Sequence, residues 1–354
     1  MERFTIGIDA GSGGTNLKEI AKGAFLAAYD LPDATLVLIG VRSLLFRYLA
    51  EISKNLNKPI PNNITIWIGE GIPVEMEDDP VLALASKKDS SMVKAFFWLK
   101  EGALDALITP GSTSVAGYGG YRRIGPINRG IRPGIITPFP TVNGRYSYVM
   151  DSGALADCRS QELVGFSAMA TSYLRSSLDY TNPSVGILSI GEEKKKGNKL
   201  IEEVWLQIDS NSGFGLNFID GNIEGRDIPL GTTDIIVCDG YTGNIVLKLS
   251  ESLAKSVLEM VINSMTRTTK GKIGAALVKT NLKEDLRVLD YEEYGGAIML
   301  GIKKPLIICH GNSGWKAIYN ATVKTTFSAL SNRVIEAMKS DLLQIDWKEL
   351  AGKK

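Results

Sequence analysis

The strongest constraint on this chain is an alternation. Short apolar runs recur between stretches of helical periodicity almost from end to end, as they do in βαβ units of a parallel sheet. The runs are FTIGID (4–9), TLVLIG (35–40), ITIWI (64–68), DALIT (105–109), VGILSI (185–190), DIIVC (234–238) and PLIIC (305–309). Most end in a glycine-bearing turn, at Gly11 to Gly14, Gly40, Gly69 to Gly71, Gly111, Gly191, Gly240 and Gly311. Ligands of open α/β sheets sit at the carboxyl ends of strands, near a change of strand order. The glycines therefore mark the expected cleft.

The stretch from Asn222 to Lys248, NIEGRDIPLGTTDIIVCDGYTGNIVLK, condenses the plan. A β-branched run stops at Asp239-Gly240 and passes through Thr242-Gly243-Asn244 into an amphipathic helix. Unpaired N–H groups in a first helical turn attract anions, so Gly240, Thr242 and Gly243 are candidate phosphate contacts. PLIICHGN (305–312) repeats the arrangement and adds Gly311 and Asn312.

With 354 residues, 44% of them hydrophobic, the chain can bury one large α/β domain. Lys and Arg number 40 against 39 acids, so no global field recruits nucleic acid and basic surfaces must be local. MERFTIGIDAG runs straight into a strand, and no apolar run approaches the roughly 18 residues of a membrane span. A cytosolic protein is expected. Cys158, Cys238 and Cys309 lack metal-like spacing and read as buried free thiols; neither a metal nor a cofactor is expected.

Along the chain, the turn Asp9 to Thr15 offers Gly13 and Gly14 as a phosphate loop, yet fits neither a Walker A pattern nor a dinucleotide fingerprint. It looks like the first phosphate loop of sugar-kinase and actin-type ATPases, a rival reading for which no further nucleotide loop is found. Residues 17–28 and 43–55 read as helices over the sheet. Asp89-Ser90-Ser91 caps a helix whose Val93, Phe96, Phe97 and Leu99 read as core. Residues 111–145 are rich in Gly and Pro, and from Ile108 to Met150 there is no acid, while Arg122, Arg123, Arg129, Arg132 and Arg145 fall within. This reads as a functional loop for an acidic partner or a ligand phosphate, or as a solvated surface loop. A helix is expected near 160–178. In the turn Gly191 to Asn198, Lys196 beside Gly197 is the best placed of three lysines to reach an anion. From Asn244 a helix of about twenty residues sets Val246, Leu249, Leu253, Val257, Val261 and Met265 on one stripe. Its tip, with Arg267, Lys270, Lys272, Ile273, Leu277 and Val278, fits an anionic membrane surface or a partner, or a dimer-forming helix pair. From Asn312 onward one long helical pattern turns Val323, Phe327, Leu330, Val334 and Met338 inward.

This inventory holds one histidine, no Ser/His/Asp set with interpretable spacing and no aromatic-rich basic face. It does hold several anion-binding turns, which suit a nucleophile that is already an anion. Phosphate has a second pKa of about 6, and a thiol leaving group with a pKa of about 8.5 needs little acid assistance. Positioning and oxyanion stabilisation then supply most of the rate.

At these residues the chain closely resembles the PlsX family of acyl-acyl carrier protein:phosphate acyltransferases. The blocks are MEDDPVLALASKKDSSMVKA (76–95), VGILSIGEEKKKGN (185–198), NIEGRDI (222–228), DIIVCDGYTGNIVLK (234–248) and DYEEYGGAIMLGIKKPLIICHGNS (290–313). The resemblance implies a Rossmann-like α/β/α sandwich related to phosphotransacetylases and isocitrate-type dehydrogenases. The whole chain, 1–354, would form one acyltransferase domain, with residues 245–285 as a protruding helix pair. It further implies a homodimer, peripherally bound to the inner face of the plasma membrane. The implied reaction moves a long-chain fatty acyl group from acyl carrier protein to inorganic phosphate, and the acyl phosphate passes to a membrane glycerol-3-phosphate acyltransferase. A coenzyme A-dependent phosphotransacetylase and a catalytically silent binding homologue are the alternatives.

Carried over by residue, the family's active-site positions fall on Lys196, Asp239 and Asn244, and His310 and Gly311 join them by position. Lys196 is expected to hold phosphate and stabilise the oxyanion. Asp239 would orient Lys196 or the phosphate, and His310 would donate to the thioester or tie its turn together. Gly111, Ser112, Thr113, Asp151, Gly197, Asn198 and Arg226 complete the expected contacts. The chain departs from the family pattern at Gly11 to Thr15, at Ser112 to Val115 and at Leu155, which replaces an asparagine.

Overall fold

The computed structural model describes residues 3–12, 16–285, 291–345 and 347. The first block runs β1 (Thr5–Asp9), α1 (Leu17–Asp30), β2 (Thr35–Gly40), α2 (Arg42–Leu56), β3 (Ile64–Ile68), α3 (Pro80–Ser86), α4 (Ser91–Lys100), β4 (Ala106–Thr109) and α5 (Thr113–Gly119). A middle block follows with β5 (Gly134–Pro140), β6 (Tyr146–Met150), α6 (Ser160–Ser177), β7 (Ser184–Leu188), α7 (Lys199–Ser210), β8 (Asn217–Ile223), α8 (Asp227–Leu230), β9 (Ile235–Val237), α9 (Gly240–Thr266) and α10 (Thr269–Asp285). The chain then returns through β10 (Ala297–Leu300), β11 (Leu306–Ile308), α11 (Trp315–Asn320), α12 (Phe327–Ser331) and α13 (Val334–Leu342).

Among the described residues, eleven strands form one sheet in the order β3-β2-β1-β4-β11-β10-β5-β6-β9-β7-β8. Each expected apolar run is a strand; those inside the sheet read as continuously apolar because they are buried on both faces, whereas β3, at the edge, is only partly buried. Helices cover both faces. Ile6, Ile8 and Leu36 pack with α1 on one face, and Val37, Ile39 and Leu107 pack with α4 and α5 on the other. In the middle block α6, α7 and α13 join Ile136, Met150 and Ile187, while Val246 and Leu247 of α9 lie on Val149 and Ile236. This is the expected Rossmann-like α/β/α arrangement.

The strand directions add what the sequence pattern did not contain. β1, β2, β3, β4 and β11 run parallel. β10 is antiparallel to β11 and β5, and β5 is antiparallel to β6, which runs with β9, β7 and β8. The carboxyl ends of the two parallel sets therefore lie at opposite ends of the sheet, so the glycine turns do not all share one edge.

Several expectations are corrected. Residues 111–145 are not a loop, since they form α5, a further wide helical turn at Gly120–Ile124 and β5. The arginines there are partly committed: Arg123 donates to Leu84 O at 2.9 Å, and Arg132 pairs at 3.2 Å with Glu162, whose side chain is 0% exposed. Phe96 is core, but Phe97 is 60% exposed. The carboxyl-terminal pattern is broken, with Arg333 in a left-handed conformation (φ 48°) before α13. Cys238 and Cys309 are buried and Cys158 is half-buried. Burial pushes the Cys158 and Cys309 thiols up to about 12 and Cys238 well above its usual value.

Glu162 anchors the base of α6. Burial alone would push its carboxyl up, but the Arg159 guanidinium at 2.5 Å and that of Arg132 outweigh this and bring it below its ordinary 4.5. A carboxyl whose folded-state pKa is depressed stabilises fully above its unfolded pKa and loses that contribution as pH falls through the folded one. Acid unfolding followed by circular dichroism should therefore lose stability as pH falls below that ordinary value of 4.5. Glu162→Gln should remove this component of the pH dependence.

Candidate active site

The turn after β9 is built from two carboxylates with different tasks. Asp239 is the N-cap of α9, accepting from Thr242 N at 2.8 Å and Thr242 Oγ1 at 3.0 Å. Gly243 N donates to Asp239 O, and Gly240 N donates to Leu155 O. The helix begins at Gly240, four residues before Asn244. Its own aspartate thus takes the place at the helix start that the glycine pattern offered to phosphate.

Asp151 lies beneath this turn. It is 0% exposed, and its carboxylate accepts from Ile135 N, Gly153 N, Ala154 N and Leu155 N at 2.7 to 3.1 Å. Burial pushes its carboxyl up, and the N–H donors pull against that. Such saturation makes Asp151 the organiser of the 151–155 turn, with no face left for a ligand. A Cβ on Gly243 would run into the Asp151 carbonyl, so only glycine fits there. The Leu155 departure is accommodated because that residue contributes its backbone N–H and C=O.

The turn after β7 carries the lysines. Lys194 lies over the Trp205 ring at 4.6 Å and pairs with Asp209 at 3.1 Å. Lys196 makes no ion pair or side-chain hydrogen bond among the described residues and is exposed. Gly197 has φ 131°, and Asn198 caps α7 by accepting from Ile201 N at 3.2 Å. Ile190, Gly191, Glu192, Glu193, Lys196, Glu224 and Arg226 line an open depression. Arg226 is held there by Glu192 at 2.8 Å and Glu224 at 2.6 Å, so of the two cations lining it Lys196 is the one without an ion pair among the described residues.

The other candidates lie further along α9, from its second to its third turn. Side chains of β5 at 135 and 139 share one sheet face, which places α5 and α9 on the same side with Thr137 between their cores. Thr137 Oγ1 and Ser152 Oγ are 2.7 Å apart, and Gly153 lies against Asn244. His310 ends β11 and approaches Glu251 of α9, Nε2 to Oε2 4.0 Å, while its Nδ1 accepts from Asn312 N at 3.5 Å. Gly311 lies near Met76, and Ser112 Oγ donates to Met76 O at 3.3 Å. Gly111 N donates to Thr109 Oγ1, which bonds the buried Asp9; Thr113 opens α5. Gly13 and Gly14 lie outside the described residues.

The site residues are thus strung along α9 rather than clustered. At 1.5 Å per residue, Glu251 stands about 18 Å along the helix from Asp239. Asp239 and Lys196 occupy neighbouring strand ends, Asn244 lies one turn on, and His310 faces the third turn. Thr137, Ser152 and Glu251 escaped the sequence reading, because no glycine or charge pattern marks a contact made across the sheet.

Known proteins resemble the chain along nearly its whole length. Residues 4–337 match the model of a family described as "Fatty acid synthesis protein". The chain is 36% identical over 337 residues to the phosphate acyltransferase of Thermoanaerobacter pseudethanolicus, covering 95% of this chain and 97% of that one. It is 39% identical over 313 residues to the phosphate acyltransferase of Clostridioides difficile, covering 88% of each. In fold it is similar to a phosphotransacetylase from Streptococcus pyogenes, with a TM-score of 0.56, 13% identity and coverage of 93% and 94%. Matched along nearly its whole length, the chain belongs to the fatty acid synthesis protein family.

Proposed function

We infer that this protein is a phosphate acyltransferase that moves a fatty acyl group from a thioester to inorganic phosphate. The family match supports acyl transfer to phosphate, and the observation that carries the mechanism is the exposed Lys196 side chain, which makes no ion pair or side-chain hydrogen bond among the described residues. A phosphate oxygen attacks the thioester carbonyl, the C–S bond breaks, and the proton of the hydrogen phosphate leaves with the thiol. Lys196 holds the phosphate and offsets charge on the oxyanion. Asn244, at the turn beside Gly153, contacts the acyl carbonyl, and Asp239 fixes the helix start that orients them. His310, whose Nδ1 accepts from Asn312 N and whose Nε2 approaches Glu251, serves the thioester end of the cleft.

The donor in this reading is acyl carrier protein and the chain is long. Support comes from the outer surface of α9, where Ile245, Leu249, Leu253, Val257 and Val261 are exposed, and α10 packs on α9. We read residues 1–354 as one catalytic unit whose tip, 245–285, serves a homodimer and an anionic membrane surface. The acyl phosphate would pass to a membrane glycerol-3-phosphate acyltransferase. No helix among the described residues is long and apolar enough to cross a membrane.

Incubation with acyl carrier protein thioester and coenzyme A thioester in turn tests the donor, with faster phosphate-dependent thiol release expected from the first. A preference for coenzyme A would overturn that part of the reading. At the tip, Ile273 is 60% and Leu277 80% exposed, and burying such a side chain is worth about 1.5–3 kcal/mol. Ile273→Glu with Leu277→Glu should therefore lower co-sedimentation with anionic vesicles by at least about tenfold, while soluble turnover is retained.

A further inference from the structure

The turn that carries Lys196 is fastened by one side chain that the proposed chemistry never touches. Asn222, at the end of β8, is 4% exposed. Its Nδ2 donates to Gly191 O at 3.1 Å, Glu193 O at 2.7 Å and Lys196 O at 3.1 Å. Its Oδ1 accepts from Trp205 Nε1 at 2.6 Å, and its backbone N donates to Glu192 O at 2.7 Å. We propose that Asn222 is the positioning residue of this site, setting where the Lys196 ammonium stands by pinning the main chain on both sides of it. The proposal rests on the role given to Lys196 above.

The strand is distorted to bring this amide into place. Val185 pairs with Phe218 and Ile187 with Asn222, so two residues of advance on β7 are matched by four on β8. A bulge of this kind re-aims a side chain. Gly221 absorbs it with φ 101°, and a Cβ there would stand 2.5 Å from Glu192 O.

The chemistry required at position 222 is narrow. The side chain must donate toward three carbonyl oxygens and accept from an indole N–H, which an amide of this length does and a carboxylate or aliphatic chain does not. Lys196 O accepts a second bond from Ser189 Oγ at 2.8 Å, and Lys196 N donates to Glu193 O at 2.8 Å. The main chain of Lys196 is thereby fixed at both its N–H and its C=O, while its ammonium stays available. Trp205 serves both ends of the device, since its N–H orients the Asn222 amide and its ring lies under Lys194. Pre-fixing a charged group in this way supplies the orientation on which transfer to a bound anion depends.

The test compares Asn222→Ala, Lys196→Ala and the double variant, with acyl carrier protein thioester and inorganic phosphate as substrates and circular dichroism as the fold control. Asn222→Ala should lower kcat by on the order of 10²-fold, the effect of misplacing a reacting group, with the acyl-donor KM unchanged. The double variant should be no slower than Lys196→Ala, because the amide acts through the lysine. Losses that multiply, or a folded Asn222→Ala of wild-type kcat, would overturn the proposal. Should Asn222→Ala not fold, Trp205→Phe removes the bond that orients the amide and keeps an aromatic ring beneath Lys194. It should give a smaller kcat loss in the same direction, and an unchanged kcat would count against the proposal. Acetylation of Lys196 by acetic anhydride and amide exchange at the Lys196 N–H, which donates to Glu193 O, need no turnover. Phosphate protection of Lys196 and slow exchange should both be lost in Asn222→Ala, and their retention overturns the positioning role. Absence of thiol release by the wild-type protein would instead sink the acyltransfer reading.

Discussion

Replacing Lys196 with alanine lowers phosphate-dependent acyl transfer by on the order of 10²–10³-fold, the usual loss when one oxyanion donor is removed, and leaves the fold intact. The separation of the two effects follows from the contacts. The Lys196 side chain makes no ion pair or side-chain hydrogen bond among the described residues, whereas its carbonyl is held by Ser189 and Asn222. Truncation therefore removes charge from the depression without loosening the turn. Lys194→Ala is the natural control, since that ammonium is already spent on Asp209 and the Trp205 ring. Steady-state rates for the two variants distinguish a catalytic lysine from a generally basic rim: equal losses would favour the rim.

Replacing Asp151 with alanine has the largest expected effect on stability. Its buried carboxylate is the acceptor for four backbone N–H groups, those of the buried Ile135 and of the half-buried Gly153, Ala154 and Leu155. The Ile135 N–H is buried with the carboxylate, and an orphaned buried donor costs about 1–3 kcal/mol. With the half-buried donors able to turn toward water, the expected loss is about 1–3 kcal/mol, read as a shift in the urea midpoint. The same turn gives the Leu155 carbonyl to Gly240 and lies against Gly243, so activity falls with it. A variant of unchanged midpoint would show that the carboxylate is not what holds this turn.

What the sequence disclosed and what it withheld have separate physical origins. β1, β2 and β4 announced themselves, because strands inside a parallel array are apolar throughout. β5 did not, since Pro138 and Pro140 belong to a strand in an antiparallel pair with β6 and the prolines argue for a loop. The available signal was Asn143-Gly144, a hairpin turn between two alternating runs; Gly144 has φ 77°. Lys196 and Asp239 were legible because glycines and a change of periodicity frame them. Asn222, Thr137 and Glu251 were not, because their partners are remote in sequence and chosen by the sheet order. The reversal of strand direction at β5 and β6 likewise leaves no trace in local pattern, and it is what spreads the site along α9.

One measurement bears most directly on the account: single-turnover incubation of the protein with acyl carrier protein thioester, with and without inorganic phosphate, following free thiol and acyl phosphate together. Thiol release that requires phosphate and yields acyl phosphate in equal amount is the predicted result. Thiol release that ignores phosphate and leaves free fatty acid, or no release at all from the folded protein, would contradict it.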